Sequence, residues 1–299
     1  MELYQLSTKQ ISWLISALAA AFTFYSPMSF GHLYMADVDE AQWNVDISPL
    51  YCRLWQPIPA YGMGLFENRA GERQFFILES EKQVYKSAQA QLAIVAPEWK
   101  FNESTQAAGT TDVVTGYRPV KAEEPLPSRF LDALEAGFFP DVKHPGWFDG
   151  HTVEVQLSSV NFTAAYQEYL QCLSGLYPAN FEQLERTTVL FDSDKYELKP
   201  SYFERLKLIK GYLEIDPEVL RVVIDGHTDN TGRDGYNYEL SRNRAEVVAA
   251  YLKKIGIPES KLLIRYHGEQ YPIAKNKTPS ERRKNRRTTL RLDKGDELE

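Results

Sequence analysis

A chain of 299 residues, 43% hydrophobic and 25% charged, has the composition of a globular protein and the length of two ordinary domains, which excludes a wholly disordered chain. Its formal net charge of -7, with no long Lys/Arg stripe outside the C-terminal end, excludes general nucleic-acid binding, because neutralising phosphates needs a basic surface. At the N-terminus Lys9 precedes an apolar run, Ile11 to Tyr25, followed by Ser26-Pro27-Met28-Ser29-Phe30-Gly31, the layout of a secretory signal peptide. The run is about 15 residues, against the roughly 20 of a membrane-spanning helix. Residues 1–31 are therefore expected to be a signal cleaved after Gly31, ahead of an uncleaved anchor or a buried helix. Export would place Cys52 and Cys172 in an oxidising compartment, where a disulfide is the natural reading and two buried thiols the alternative. Their spacing excludes a CxxC redox pair, and neither has a Cys or His close by for a zinc site.

From Trp43 to Val95 the pattern is strand-like: Val45 and Ile47 alternate with polar neighbours, and Gln74-Phe75-Phe76-Ile77-Leu78 follows a turn at Asn68-Arg69-Ala70-Gly71, which predicts a hairpin. Residues Asn102 to Asp112, rich in Ser, Thr, Ala and Gly, are expected to form an exposed loop. Four of the five tryptophans, Trp43, Trp55, Trp99 and Trp147, are expected in the core rather than on a sugar platform. A short helix is predicted over Pro127 to Leu134, stopping at Gly137. The alternation His151 to Leu157 predicts a strand with Val153, Val155 and Leu157 inward. Asn161 is expected to cap a helix whose Phe162, Ala165, Tyr166, Tyr169, Leu170 and Leu173 form one stripe, ending at Gly175 with Cys172 on the last turn.

Pro178 and Asn180 interrupt the pattern, so residues 176–186 are expected to link an N-terminal domain (32–175) to a C-terminal one (187–292), with an acidic tail over 293–299. The second domain alternates Thr188–Phe191, a helix over Pro200–Ile215, Leu220–Asp225, a helix over Tyr238–Ile255 stopping at Gly256, Leu262–His267 and Thr288–Leu292. Strands alternating with helices of this length predict a small α/β sandwich; the whole chain is then α+β, with a strand-rich first domain carrying a few helices.

The informative stretch is Gly226-His227-Thr228-Asp229-Asn230-Thr231-Gly232, followed by Asn237, Leu240-Ser241 and Arg244-Ala245. It joins a strand end to the start of a helix, where unpaired N–H groups favour anionic ligands. A carboxylate and a guanidinium facing one cleft suit a zwitterion: Asp229 pairs with an ammonium, and the fork of Arg244 grips a carboxylate. His227 has no second His at ligand spacing and no nucleophile-elbow serine, so neither a metal nor a catalytic centre is expected, and no cofactor. Asp225 and Asp229 are expected as one loop cap and one ligand contact rather than as an acid/base pair. The run Glu281 to Arg287 is expected as a solvated turn leading into an edge strand, with Arg286 folded inward.

Phe191-Asp192-Ser193-Asp194-Lys195-Tyr196-Glu197-Leu198, Asp225 to Asp229, Asn237 to Ala245 and Asn285-Arg286-Arg287 resemble, in order, the signatures of the OmpA-like peptidoglycan-binding family. The resemblance implies a β-α-β-α-β-β fold and binding of the diaminopimelate of the peptidoglycan stem peptide. Asp229 would hold its amino group and Arg244 its carboxylate; Asn237, Leu240 and Thr228 with backbone near Asp229 would line the pocket, and Arg286 would support it. Alanine at Asp229 or Arg244 is expected to abolish wall binding with the fold intact. Gln42-Trp43, Pro49 to Pro59, Gly62 and Val155 to Val160, with the Cys52/Cys172 spacing, are similar to the MotY family of the flagellar motor. That similarity implies a non-enzymatic periplasmic component of a ring around the basal body. It would be built with a MotX-like partner, tie the ring to the wall, and so support the stator complex indirectly. The alternative is a general envelope tether with no motor role.

Overall fold

The computed structural model describes residues 32–147 and 151–295. The expected signal segment, 1–31, and the last four positions of the expected tail lie outside the described residues. No described helix is long and apolar enough to cross a membrane.

The first part is a ten-stranded sheet of β1 (His32–Tyr34), β2 (Asn44–Ser48), β3 (Tyr51–Ile58), β4 (Gly62–Arg69), β5 (Gln74–Ser80), β6 (Ala88–Val95), β7 (Gln106–Val113), β8 (Val120–Glu123), β9 (Phe139–Pro145) and β10 (Thr152–Gln156). Their spatial order is β1-β10-β9-β6-β7-β8-β5-β4-β3-β2. Every pairing is antiparallel except β1 with β10. Two helices, α1 (Leu126–Glu135) and α2 (Phe162–Gly175), pack on it. The expected hairpin is β4–β5, with Gly71 at φ +68° in its turn. α1 opens with Pro127 in its first turn and closes on Gly137, whose φ of +78° lets its N–H reach Leu134 O and the Phe138 N–H reach Ala133 O.

An aromatic chain joins sheet and helices: Trp43 sits edge-on to Phe162 at 5.1 Å, Phe66 contacts Phe76 at 5.3 Å, and Phe76 meets Phe130 of α1 at 5.1 Å. Each such ring contributes about 2 kcal/mol through burial. Cys52 of β3 and Cys172 of α2 are disulfide-bonded.

Four expectations change here. Residues expected as a loop contain β7, paired along β6 with only Ala108 and Val113 buried; a strand of Thr, Gly and Ala carries too little hydrophobic contrast to be seen. Asn161 does precede α2, but at φ 60° its side chain turns away and donates to Ala41 O instead of capping. Leu170 is 40% exposed, so the buried stripe of α2 is Phe162, Ala165, Tyr169 and Cys172. Trp99 is 51% exposed and leans edge-on against Phe139.

Between the two sheets, residues 176–186 are not an extended connector. They include a short helix, α3 (Phe181–Glu185), with Asn180 and Gln183 forming a reciprocal capping box. Gln183 Nε2 also donates to Gly71 O at 2.9 Å, the Tyr177 N–H to Pro49 O at 2.9 Å, and Tyr177 Oη to Leu208 O at 2.6 Å. Leu50, ahead of β3, packs against the C-terminal core.

That core is built by β11 (Arg186–Leu190), α4 (Phe203–Ile215), β12 (Arg221–Gly226), α5 (Asp234–Lys254), β13 (Leu262–Tyr266), α6 (Pro279–Asn285) and β14 (Arg287–Asp293). The sheet order is β11-β14-β12-β13, with β12 and β13 parallel and the other pairs antiparallel. The helices fill it with Leu206, Ile209, Val248 and Leu252. The run expected as a turn before an edge strand is instead α6, capped by Thr278 and Glu281, and β14 is an interior strand. The positive side chains of the run concealed a capping box starting three residues earlier. Asp293, expected in the tail, ends β14 buried and paired with Arg221.

Candidate functional site

The site forms where β12 stops. Gly226 ends that strand because α5 crosses it too closely for any side chain: a Cβ there would lie 2.0 Å from Ser241 O. The loop that follows is pinned to both neighbouring strands. His227 N–H donates to Arg287 O (2.9 Å), Thr228 N–H to Gly268 O (2.8 Å), and His267 N–H returns to Gly226 O (3.0 Å). Ser241 Oγ accepts from the Gly268 N–H at 3.0 Å, completing the tether.

Asp229, 5% exposed, folds its own loop by accepting from the Thr231 N–H at 3.0 Å, and its other oxygen accepts from Arg286 at 2.9 Å. Burial pushes its carboxyl up, but the hydrogen bonds from Arg286 and Thr231 outweigh it and hold the group below its usual range. Arg286, expected in support, is thus the direct partner of Asp229. Asp225, expected as the loop cap, instead pairs with Arg265 (2.7 and 2.9 Å) and His267 (2.7 Å); Asp229 caps the loop itself.

Arg244, on α5, is completely buried. It donates to Lys195 O (2.9 Å), His227 O (3.0 Å) and Asp192 O (3.2 Å), and lies over the Phe191 ring at 5.4 Å. Burial lowers its pKa to about 10, with Asp229 the largest opposing influence. It binds the loop after β11 to the loop after β12, spending three of its five N–H groups on backbone carbonyls. Asn237, fully buried one turn into α5, gives its amide hydrogen to Glu269 at 2.5 Å, while its Oδ1 has no partner. Thr228 Oγ1 is likewise unpartnered and buried, and Leu240 is 8% exposed on the same helix.

The structure therefore brings Thr228, Asp229, Asn237, Arg244 and Arg286 around one loop, but as a braced frame rather than two free charges facing a cleft. Glu269 and Ser241 belong to the same frame. Ser241 lay inside a recognised motif without a role; nothing around Glu269 marked it.

His227 sits behind the loop, 6% exposed, stacked on His267 at 5.0 Å. Burial, then the charges of Arg287 and His267, lower its pKa to about 3. The unfolded chain takes up a proton near the ordinary value of about 6.5 that the folded chain refuses, so its contribution is complete above that pH and is lost as pH falls toward 3. Asp229, also depressed, adds to the loss only below the ordinary carboxylate range of about 4. Asp141, raised to about 6, has the opposite dependence over the same range, so the His227 contribution, up to about 1 kcal/mol per pH unit between pH 6 and 4, is expected as the difference in slope between the natural chain and His227→Gln. Urea titrations of the natural chain and of His227→Gln check it: the variant should lose this slope, and a parallel slope in both would contradict the assignment.

Two family models match the chain in succession, the MotY N-terminal domain over residues 34–178 and the OmpA family over 190–286. Fold and site thus define a two-domain protein in which an OmpA-family domain, braced around Asp229 and Arg244, follows a strand-rich domain; neither family is an enzyme family. The chain is a MotY homologue: it is 27% identical over 291 residues to the sodium-type flagellar protein MotY of Vibrio parahaemolyticus, covering 94% of this chain and 97% of that protein. The peptidoglycan-associated lipoprotein of Haemophilus influenzae is 33% identical over 133 residues, 44% of this chain and 86% of its own. Among solved structures, the peptidoglycan-associated lipoprotein of Burkholderia pseudomallei matches 36% of this chain and 89% of its own at 29% identity, with a TM-score of 0.34.

Proposed function

We propose that this protein is a non-catalytic periplasmic component of the flagellar motor that holds a ring to the cell wall. Its C-terminal site takes the diaminopimelate of the peptidoglycan stem peptide, and its N-terminal domain docks on the basal body with a MotX-like partner, which steadies the stator indirectly. The observation that carries the reading is that the loop folded by Asp229 also holds two buried oxygens without partners, Thr228 Oγ1 within it and Asn237 Oδ1 packed against its Gly232. An ammonium group has three donors in a compact head and satisfies such a set. Arg244 keeps two N–H groups for the ligand carboxylate, and the relatives named for peptidoglycan support the ligand class. Catalysis plays no part in this role.

The test is retention on purified sacculi. Asp229→Asn keeps the Thr231 turn and removes the charge that Arg286 pairs with, so retention is compared under conditions where an unfolding curve shows both chains folded, and it should fall at least tenfold, about 1.4 kcal/mol. Undiminished retention would remove the assignment. A deletion strain that keeps its filaments but does not swim supports the motor role, whereas normal swimming with a weakened envelope favours the general tether.

A further inference from the structure

A second place in the molecule holds a buried polar atom without a partner, and it lies far from the wall site in sequence, on the N-terminal sheet. Across β10, β9 and β6 the register sets Gln156, Asp141 and Ala93 in one row and Glu154, Lys143 and Gln91 in the next. Beside them β6 shifts register against β7 between Leu92 and Ala93. The small side chains of Ala93 and Ala107 leave an open groove of about 730 Å3 over this face, with Val95 in its wall and Asp141, Glu154 and Gln156 in its floor.

The charges in the groove do not balance. Lys143 Nζ pairs with Glu154 at 3.2 Å, and Gln156 Nε2 donates to the same carboxylate at 3.3 Å. Asp141, only 1% exposed, is left with an Oδ1 that accepts from nothing. Such an orphan is destabilising, and more so when the group is ionised. Burial, and then the negative Glu154, push the Asp141 carboxyl up to about 6, outweighing a hydrogen bond from Gln156 and the charge of Lys143, which is already paired with Glu154.

We propose that this groove is a docking site for a partner protein's lysine, with the ammonium on Asp141 and the aliphatic stem along Ala93, Val95 and Ala107. Apolar walls above a carboxylate floor fit a lysine, which buries its methylenes and needs acceptors only at its tip. A divalent cation fits less well: among the described residues no three His, Cys, Asp or Glu side chains gather to hold a metal, and such ions take six or more oxygen ligands. The groove also runs toward an aromatic edge, because Val95 lies opposite Phe139 and Phe139 carries the half-exposed Trp99. Aromatic side chains are enriched where proteins dock.

The experiment titrates the full chain with an acetyl-Gly-Lys-Gly-amide peptide and with its Nε-acetylated twin, following the backbone amide signals of Ala93, Asp141 and Gln156 by NMR. Saturable shifts with the lysine peptide are expected, weakened at least tenfold in the acetylated twin and in Asp141→Asn. Ala93→Leu, which fills the groove but keeps the charge, should block binding as well and decides the matter if Asp141→Asn does not fold. No saturable shift, equal binding of the twin, or full binding by the folded Asp141→Asn chain overturns the proposal. So does the same shift produced by sodium chloride alone. Sacculus retention should be unchanged in Asp141→Asn, which separates failure here from failure of the wall-binding reading.

Discussion

Replacing Arg244 with alanine is expected to destabilise the protein by about 5 kcal/mol, far beyond the loss of a binding contact. The side chain is completely buried and its guanidinium is the hydrogen-bond partner of the Lys195, His227 and Asp192 carbonyls. Alanine leaves those acceptors without it at about 1–3 kcal/mol apiece, and opens a cavity over the Phe191 ring. The sequence alone suggested a variant that stays folded and loses only its ligand. Urea unfolding of the full chain measures the difference; a loss below about 1 kcal/mol would show that the carbonyls find other partners. Arg244→Lys should recover less than half, since an ammonium cannot span carbonyls from two loops as a planar fork does. Wall-binding experiments therefore belong with Asp229→Asn, and an Arg244→Ala result must be read beside its unfolding curve.

Removing the disulfide is the second large expected effect, about 4 kcal/mol. Cys52 and Cys172 are 120 residues apart in sequence, so their bond takes a long loop out of the unfolded ensemble. Cys52→Ser combined with Cys172→Ser keeps the volumes nearly constant, and the urea midpoint of that chain against the natural one gives the contribution. A midpoint that also fails to move on adding reductant to the natural protein would mean the bond constrains little. The loss should fall on the N-terminal sheet, because both cysteines belong to its core.

How far the sequence revealed the structure depended on where each signal was written. Val153, Val155 and Leu157 are all buried, as their alternation requires, because a half-buried strand writes its inner face at every second position. β7 has the same geometry, but six of its eight residues are Gln, Ala, Gly or Thr, so most of its exposed and buried positions look alike. Cap residues misled where dihedral angles decide: Asn161 stands at the right place with a left-handed backbone. At the candidate site the cluster around Asp229 was legible because most of it lies on one strand–loop–helix segment. The partnership of Asp229 with Arg286 spans 57 residues, and that of Asn237 with Glu269 spans 32. Such distances are set by sheet order, with β14 inserted between β11 and β12, and no local pattern encodes them. Burial of Arg244 was invisible for the same reason, since its acceptors are backbone carbonyls on two separate loops.

The joint between the two sheets has a mechanical meaning. In the role proposed above, a protein tied at one end to the wall and at the other to the motor is a tether under load. Tension from the C-terminal sheet enters the first domain through residues 176–180, just beyond the last turn of α2, where Cys172 is bonded to β3. A helix held only by packing would peel from its end; here the pull passes through a covalent link into the interior of a hydrogen-bonded sheet. The Tyr177–Pro49 and Gln183–Gly71 bonds flank that link, so force is spread across β3, β4 and their turns rather than concentrated on one strand. The crossing point is thus built as an anchorage, and the stretch that links the two sheets is where the chain resists being pulled apart.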